Sequence, residues 1–236
     1  LKTISAYIRE HNTALSIVDC VTSLGACNVP VDEWELDVVA SGSQKGYMIP
    51  PGLSFISMSQ KAWEAAEKSN LPKFYLNLKS YRKSLLSNSN PYTPAVNLIF
   101  ALDEALKMMR EEGLDNIFFR HNKHKLAVSN AMKALNLKLF ADEKYLSPSI
   151  TAINTEEMDA EEFRKTIKNN FDILLAGGQD HLKGKIFRVG HLGYVNDRDI
   201  ITVVSAISNT LLSLGKITTL QAGEALAVVS KYLAGN

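Results

Sequence analysis

Lys45 is the amine in this chain whose neighbours best suit it to chemistry. It lies in Ser41-Gly42-Ser43-Gln44-Lys45-Gly46-Tyr47-Met48-Ile49-Pro50-Pro51-Gly52, directly after the apolar run Leu36-Asp37-Val38-Val39-Ala40. Small flanking residues let a flat group approach the backbone, and the Pro-Pro-Gly turn stiffens the loop. Asp19 ends an earlier apolar run, Ser16-Ile17-Val18. An amine and a carboxylate offered from neighbouring strand ends are what pyridoxal phosphate chemistry needs. The amine forms a Schiff base, and the carboxylate holds the pyridine nitrogen protonated through a charge-assisted hydrogen bond. Each residue also has a plainer reading. Lys45 could be a solvated loop lysine, and Asp19 could cap the turn over 21–25.

A third feature is Ile186-Phe187-Arg188-Val189-Gly190-His191-Leu192-Gly193. An arginine inside an apolar strand calls for an anionic partner, and guanidinium matches a carboxylate bidentately. Arg188 is therefore a candidate clamp for a substrate carboxylate, with a structural partner such as Asp180 as the alternative. Gly177-Gly178-Gln179-Asp180 is expected to form a tight loop over the same site. His191 reads first as a packed histidine and second as a site base.

These residues must be positioned by strands and helices. The first half alternates in the α/β manner, with strands expected over 15–18, 36–40 and 52–58 and a helix from Ser59 to about residue 67. A further helix is expected over 1–10. An irregular, Asn/Ser/Pro-rich excursion over 70–94 carries one short helix near 76–85. A long helix over 94–112 has Gly113 as its stop, and another runs over 114–135. Strands are expected over 137–140, 149–153, 172–175 and 186–189, a helix over 160–169, and two closing helices over 198–214 and 219–234. The second half thus reads as a compact α+β unit.

The 236 residues suffice for one large domain or two modest ones, and 46% are hydrophobic. Lys+Arg 26 against Asp+Glu 25 leaves a net charge of +1, which argues against a strongly basic nucleic-acid surface. No apolar run approaches the roughly 18 residues that span a bilayer. Cys20 and Cys27 read as reduced thiols of a cytoplasmic protein.

Taken in order, Val18-Asp19-Cys20-Val21-Thr22-Ser23-Leu24-Gly25, Ser41-Gly42-Ser43-Gln44-Lys45 with Pro50-Pro51-Gly52, Tyr92-Thr93-Pro94-Ala95-Val96 and Phe187-Arg188-Val189-Gly190-His191-Leu192-Gly193 resemble the class V aminotransferases of pyridoxal phosphate fold type I. The likeness is to the alanine–glyoxylate, serine–glyoxylate and serine–pyruvate types and covers essentially the whole chain. It implies an α/β fold in which 1–112 are the C-terminal part of the cofactor-binding large domain with its long linking helix, and 113–236 the small C-terminal domain. It further implies that Lys45 forms the internal aldimine, that Asp19 pairs with the pyridine nitrogen, and that Val21 packs on the ring. Gln44 would reach the phosphate side, Arg188 would hold the substrate carboxylate, and Thr93, with Tyr92, would reach the phosphate of a neighbouring subunit in a homodimer. The implied substrates are amino acids and 2-oxo acids, with no nucleic-acid or membrane partner. Family members run well over a hundred residues further at the N-terminus, where a phosphate-cradling turn and a ring-stacking aromatic lie. This chain is therefore expected to be a C-terminal portion, inactive alone.

Two rivals bear on that reading. A cysteine desulfurase would want a histidine before the lysine and a cysteine in the second half, but Gln44 precedes Lys45 and no cysteine follows Cys27. A phosphoserine aminotransferase would want extra basic residues. A non-enzymatic, partner-binding subunit on the same fold is the alternative from a different class, since some relatives carry hydrogenase-subunit names.

Overall fold

The computed structural model describes residues 1–11, 13–156 and 158–235. The chain divides into two compact units, one of Leu1–Val21 and Val29–Met108, the other of Thr22–Asn28 and Met109–Asn236.

The first unit holds α1 (Lys2–His11), a three-stranded sheet of β1 (Ile17–Asp19), β2 (Val38–Gly42) and β3 (Ser54–Met58), and then α2 (Gln60–Lys68) and α3 (Leu78–Leu86). The boundary between units falls within α4 (Val96–Glu112). Strand order is β1-β2-β3. β1 and β2 are parallel, with Asp19 opposite Ala40, and β3 returns antiparallel to β2. The sheet is fastened at its lower end by a buried carboxylate. Asp37 accepts hydrogen bonds from the Ser16 amide at 2.9 Å and the Ser59 hydroxyl at 2.8 Å. Ser59 is also the N-cap of α2, accepting from the Ala62 amide at 3.1 Å. One side chain thus ties β1, β2 and α2 together. Burial raises the Asp37 pKa, but the bonds from Ser16 and Ser59 and the Lys61 charge outweigh it and hold the carboxyl below its usual value.

Parallel strands are normally covered on both faces. Here the face carrying Ile17, Asp19, Ala40 and Ile56 is open, with Ile17 73% exposed.

The second unit contains α5 (Leu114–Ala134), β4 (Lys138–Leu139), β5 (Ile150–Asn154), α6 (Ala160–Phe171), β6 (Ala176–Gly177), β7 (Ile186–Gly190), α7 (Asp197–Ser213) and α8 (Thr219–Leu233). Its sheet has the order β4-β5-β7-β6 and is antiparallel throughout. Val128, Met132, Ile153, Phe163, Phe187 and Ile207 lie at its centre with 2% exposure or less. Side-chain caps set the helix starts. Asp159 caps α6, and Asn196 and Thr218 close capping boxes at α7 and α8. Gly113 (φ 82°) ends α4 and immediately N-caps α5. Among the described residues no helix is long and apolar enough to cross a membrane, and no disulfide joins Cys20 and Cys27.

Candidate functional site

Asp19 and Lys45 come from the carboxyl ends of adjacent parallel strands, where open α/β sheets bind their ligands. Asp19 is the last residue of β1 and is exposed on the open face. Its Oδ1 accepts from the Val21 amide at 2.9 Å, so the carboxylate caps the following turn with one oxygen and presents the other. Both sequence-level readings of Asp19 are therefore compatible with one geometry. Val21, half-buried, lies next to it.

Lys45 is half-buried in the turn that follows β2. The neck of that turn is held by Ser43, a fully buried residue to which sequence reasoning assigned no role. The Ser43 hydroxyl donates to Pro50 O at 2.8 Å and accepts from the Leu53 amide at 3.2 Å, and the Ser43 amide donates to Leu53 O at 3.1 Å. Within the loop, Met48 N bonds to Lys45 O at 3.0 Å. The backbone of Lys45 is thus used in structure. Its amine meets no hydrogen-bond or ion-pair partner among the described residues. Gln44 is exposed and folds back toward Gly42, its Oε1 lying 3.0 Å from where a Cβ on that glycine would sit. A buried serine among small residues leaves no local signal, because its partners stand seven and ten residues away.

Tyr92 and Thr93 close the excursion of the first unit. The Tyr92 hydroxyl donates to Phe74 O at 3.1 Å, and its ring belongs to an aromatic cluster with Phe74, Tyr75 and Tyr81. Thr93 is exposed.

Arg188 stands in the middle of β7 in the second unit, between Ala152 of β5 and Ala176 of β6. Two alanines leave room over the sheet for a guanidinium and a ligand. The Arg188 Nε donates to Gly177 O at 2.9 Å, and its terminal nitrogens have no partner among the described residues. The glycine loop, rather than Asp180, supplies its structural contact.

His191 is fully buried. Its Nδ1 faces Pro148 O at 3.0 Å and its Nε2 faces the Thr151 hydroxyl at 2.9 Å, which suits a neutral ring donating to the carbonyl and accepting from the hydroxyl. Burial, with His124 and His121 nearby, pushes its pKa down to about 4. It is a packed histidine, neutral at pH 7. The unfolded chain would protonate this ring near pH 6.5 and the folded one only near 4. Between those values the unfolded state binds the extra proton, so stability is full above about 6.5 and falls as pH drops toward 4. Going from pH 7 to pH 5 should remove roughly 2 kcal/mol by this linkage. Thermal unfolding at the two pH values checks it. The loss should shrink in His191→Gln, and an equal loss in the variant would assign the effect to other groups.

The donor set suits pyridoxal phosphate in its chemistry. In the first unit it comprises, among the described residues, an unpartnered amine and a carboxylate with a free oxygen on the same sheet end; the second unit, by itself, carries an arginine with free terminal nitrogens.

The profile of the family described as aminotransferase class-V matches residues 1–196. The soluble hydrogenase small subunit of Synechococcus sp. is 55% identical over 99% of this chain and 60% of its own length. The serine–glyoxylate aminotransferase of Methylorubrum extorquens is 35% identical over 94% of this chain and 57% of its own. Among solved structures, the ureidoglycine–glyoxylate aminotransferase of Bacillus subtilis superimposes with a TM-score of 0.89 at 30% identity, covering 98% of this chain and 61% of that one. The chain thus spans about three fifths of the length of the relatives it matches.

Proposed function

Because the chain belongs to the class V aminotransferases, we propose that the intact protein transfers an amino group from alanine or serine to glyoxylate or pyruvate, using Lys45. The fold is that of the pyridoxal phosphate-dependent enzymes of type I, and pyridoxal phosphate is the cofactor. When bound, this cofactor supplies an electron sink for charge developing at the substrate's α-carbon. The observation that carries the reading is the unpartnered Lys45 amine at the same sheet end as the Asp19 carboxylate.

In this reading Lys45 Nζ holds the cofactor and then carries the α-proton between carbon atoms. The free Asp19 oxygen keeps a proton on the ring nitrogen, and Val21 packs against the ring. Gln44 contributes on the phosphate side. The terminal nitrogens of Arg188 grip the substrate carboxylate as a fork. Residues 1–112 belong to the cofactor-binding large domain and 113–236 to the small one. The open sheet face at Ile17 and Ile56 is covered in the whole protein by parts of the fold that its longer relatives possess. A homodimer is part of the proposal. Thr93, with Tyr92, reaches a neighbouring subunit's phosphate, and exposed Val96 and Phe100 nearby, with Phe74 and Leu76 in the excursion, suit an interface. A cytoplasmic setting, in which Cys20 and Cys27 would stay reduced, is also part of the proposal.

The names of two similar proteins, both called soluble hydrogenase subunits, favour a second reading as a partner-binding scaffold. A scaffold has no physical need for a free amine, a free carboxylate oxygen and a free guanidinium fork. The deciding experiment assays the intact protein with a panel of amino donors against glyoxylate and pyruvate. Transfer from alanine or serine is expected. A protein that binds no cofactor and transfers from no donor would support the scaffold.

A further inference from the structure

The Arg188 guanidinium is aimed by the Gly177 carbonyl, on an edge strand that another arginine, Arg164, fastens at the adjoining Leu175 carbonyl. β6 is a two-residue edge strand, paired on one side only, to β7. So short a strand fixes nothing by itself. Yet its Gly177 carbonyl is the acceptor for Arg188 Nε, which leaves only the end-on pair of terminal nitrogens for a ligand. Where Gly177 O stands therefore decides where that fork points.

Two contacts hold the strand. On the inner side, Gly178 N bonds to Ile186 O at 3.1 Å. On the outer side, where no strand pairs, Arg164 of α6 takes a strand's place. Its Nε donates to Leu175 O at 2.8 Å, and its Nη1 is held by Glu161 Oε2 at 2.7 Å. The same guanidinium lies against Gly177. A Cβ there would fall 2.5 Å from Arg164 Nη1 and 2.6 Å from Glu161 Oε1. Position 177 must lack a side chain for Arg164 to lie where it does, although its φ places no such demand.

We propose that Arg164, oriented by Glu161, is a positioning residue for substrate recognition: it fixes the edge strand whose Gly177 carbonyl aims the Arg188 fork at the substrate carboxylate. The inference rests on the reading of Arg188 as the clamp. It adds a residue that touches neither substrate nor cofactor.

The test uses Arg164→Ala, Gly177→Ala, Arg188→Ala and the double variant Arg164→Ala/Arg188→Ala in the intact protein. Misaiming the fork should raise KM for amino acid and oxo acid alike on the order of tenfold, with kcat within about threefold. The spectrum of bound cofactor should not change, and amide hydrogen exchange at Gly178 should quicken. Gly177→Ala, which displaces the Arg164 guanidinium without deleting it, should give the same KM rise and serves if Arg164→Ala folds poorly. In the Arg188→Ala background the Arg164 substitution should add nothing to KM, because the two act through one contact. If Arg188→Ala raises KM while neither Arg164→Ala nor Gly177→Ala does, or if the effects add, the positioning role is overturned and the clamp stands. If Arg188→Ala itself leaves KM unmoved, both fall.

Discussion

Replacing Lys45 by alanine is expected to lower the rate of amino transfer by about a thousandfold or more while the protein stays folded. The first half of the expectation follows from the amine's freedom. It meets no partner among the described residues, so it is available for chemistry. A positioned acid–base group contributes roughly 10²–10⁴-fold, and losing the nucleophile adds to that. The second half follows from the division of labour within the loop. The Met48 N to Lys45 O bond is backbone, and Ser43 holds the neck, so truncating the side chain removes no hydrogen bond that shapes the loop. Unchanged thermal unfolding beside lost transfer is the signature. Lys45→Arg should lose as much, because guanidinium keeps the charge but does not give up its proton. Added methylamine should restore part of the rate to Lys45→Ala and none to Lys45→Arg, whose side chain still fills the space. Borohydride should fix the cofactor to residue 45 in the parent protein and in neither variant. Transfer at the parental rate by either variant would falsify the role of this amine.

How far the sequence carries this picture depends on how local each cause is. The start of α2 is legible because Ser59 and the amide it caps are three residues apart. Arg188 is legible because a charge inside Ile-Phe-Arg-Val breaks an apolar run. The anchoring role of Asp37 is not: a charge inside Leu-Asp-Val-Val marks the position, but the partners that define its role, Ser16 and Ser59, stand 21 and 22 residues away. β6 shows the opposite failure. Ile173, Leu174 and Leu175 imitate a strand over 172–175. In the fold Asp172 (φ 54°) ends α6 in the left-handed region, Leu174 is 77% exposed, and the strand is Ala176–Gly177. Two residues carry no alternation to read. The same loop held the contact for Arg188, and the Gly-Gly pair marked its place, but not that a carbonyl there, rather than Asp180, would be the acceptor.

Asp19→Asn is expected to slow amino transfer by on the order of 10²–10³-fold with little change in stability, and the contrast with Asp19→Ala separates the two roles of this side chain. One carboxylate oxygen caps the Val21 amide at 2.9 Å, a task that asparagine's carbonyl oxygen performs as well. The other oxygen carries the charge that would stabilise a protonated ring nitrogen, and a neutral amide cannot supply it. Asparagine therefore removes the charge and keeps the turn. Alanine removes both, so it should match asparagine in rate and additionally lose about 1 kcal/mol of stability. Asp19 is exposed, so neither substitution strands a buried group and the stability terms stay small. The order of the three proteins is the discriminating result. If rate follows the turn, with asparagine near the parent and only alanine slow, then Asp19 is a cap whose place at a strand end is incidental. If rate follows the charge, with both variants slow and only alanine less stable, then the end of β1 sets the ring's electronics beside the β2 turn that offers the Lys45 amine.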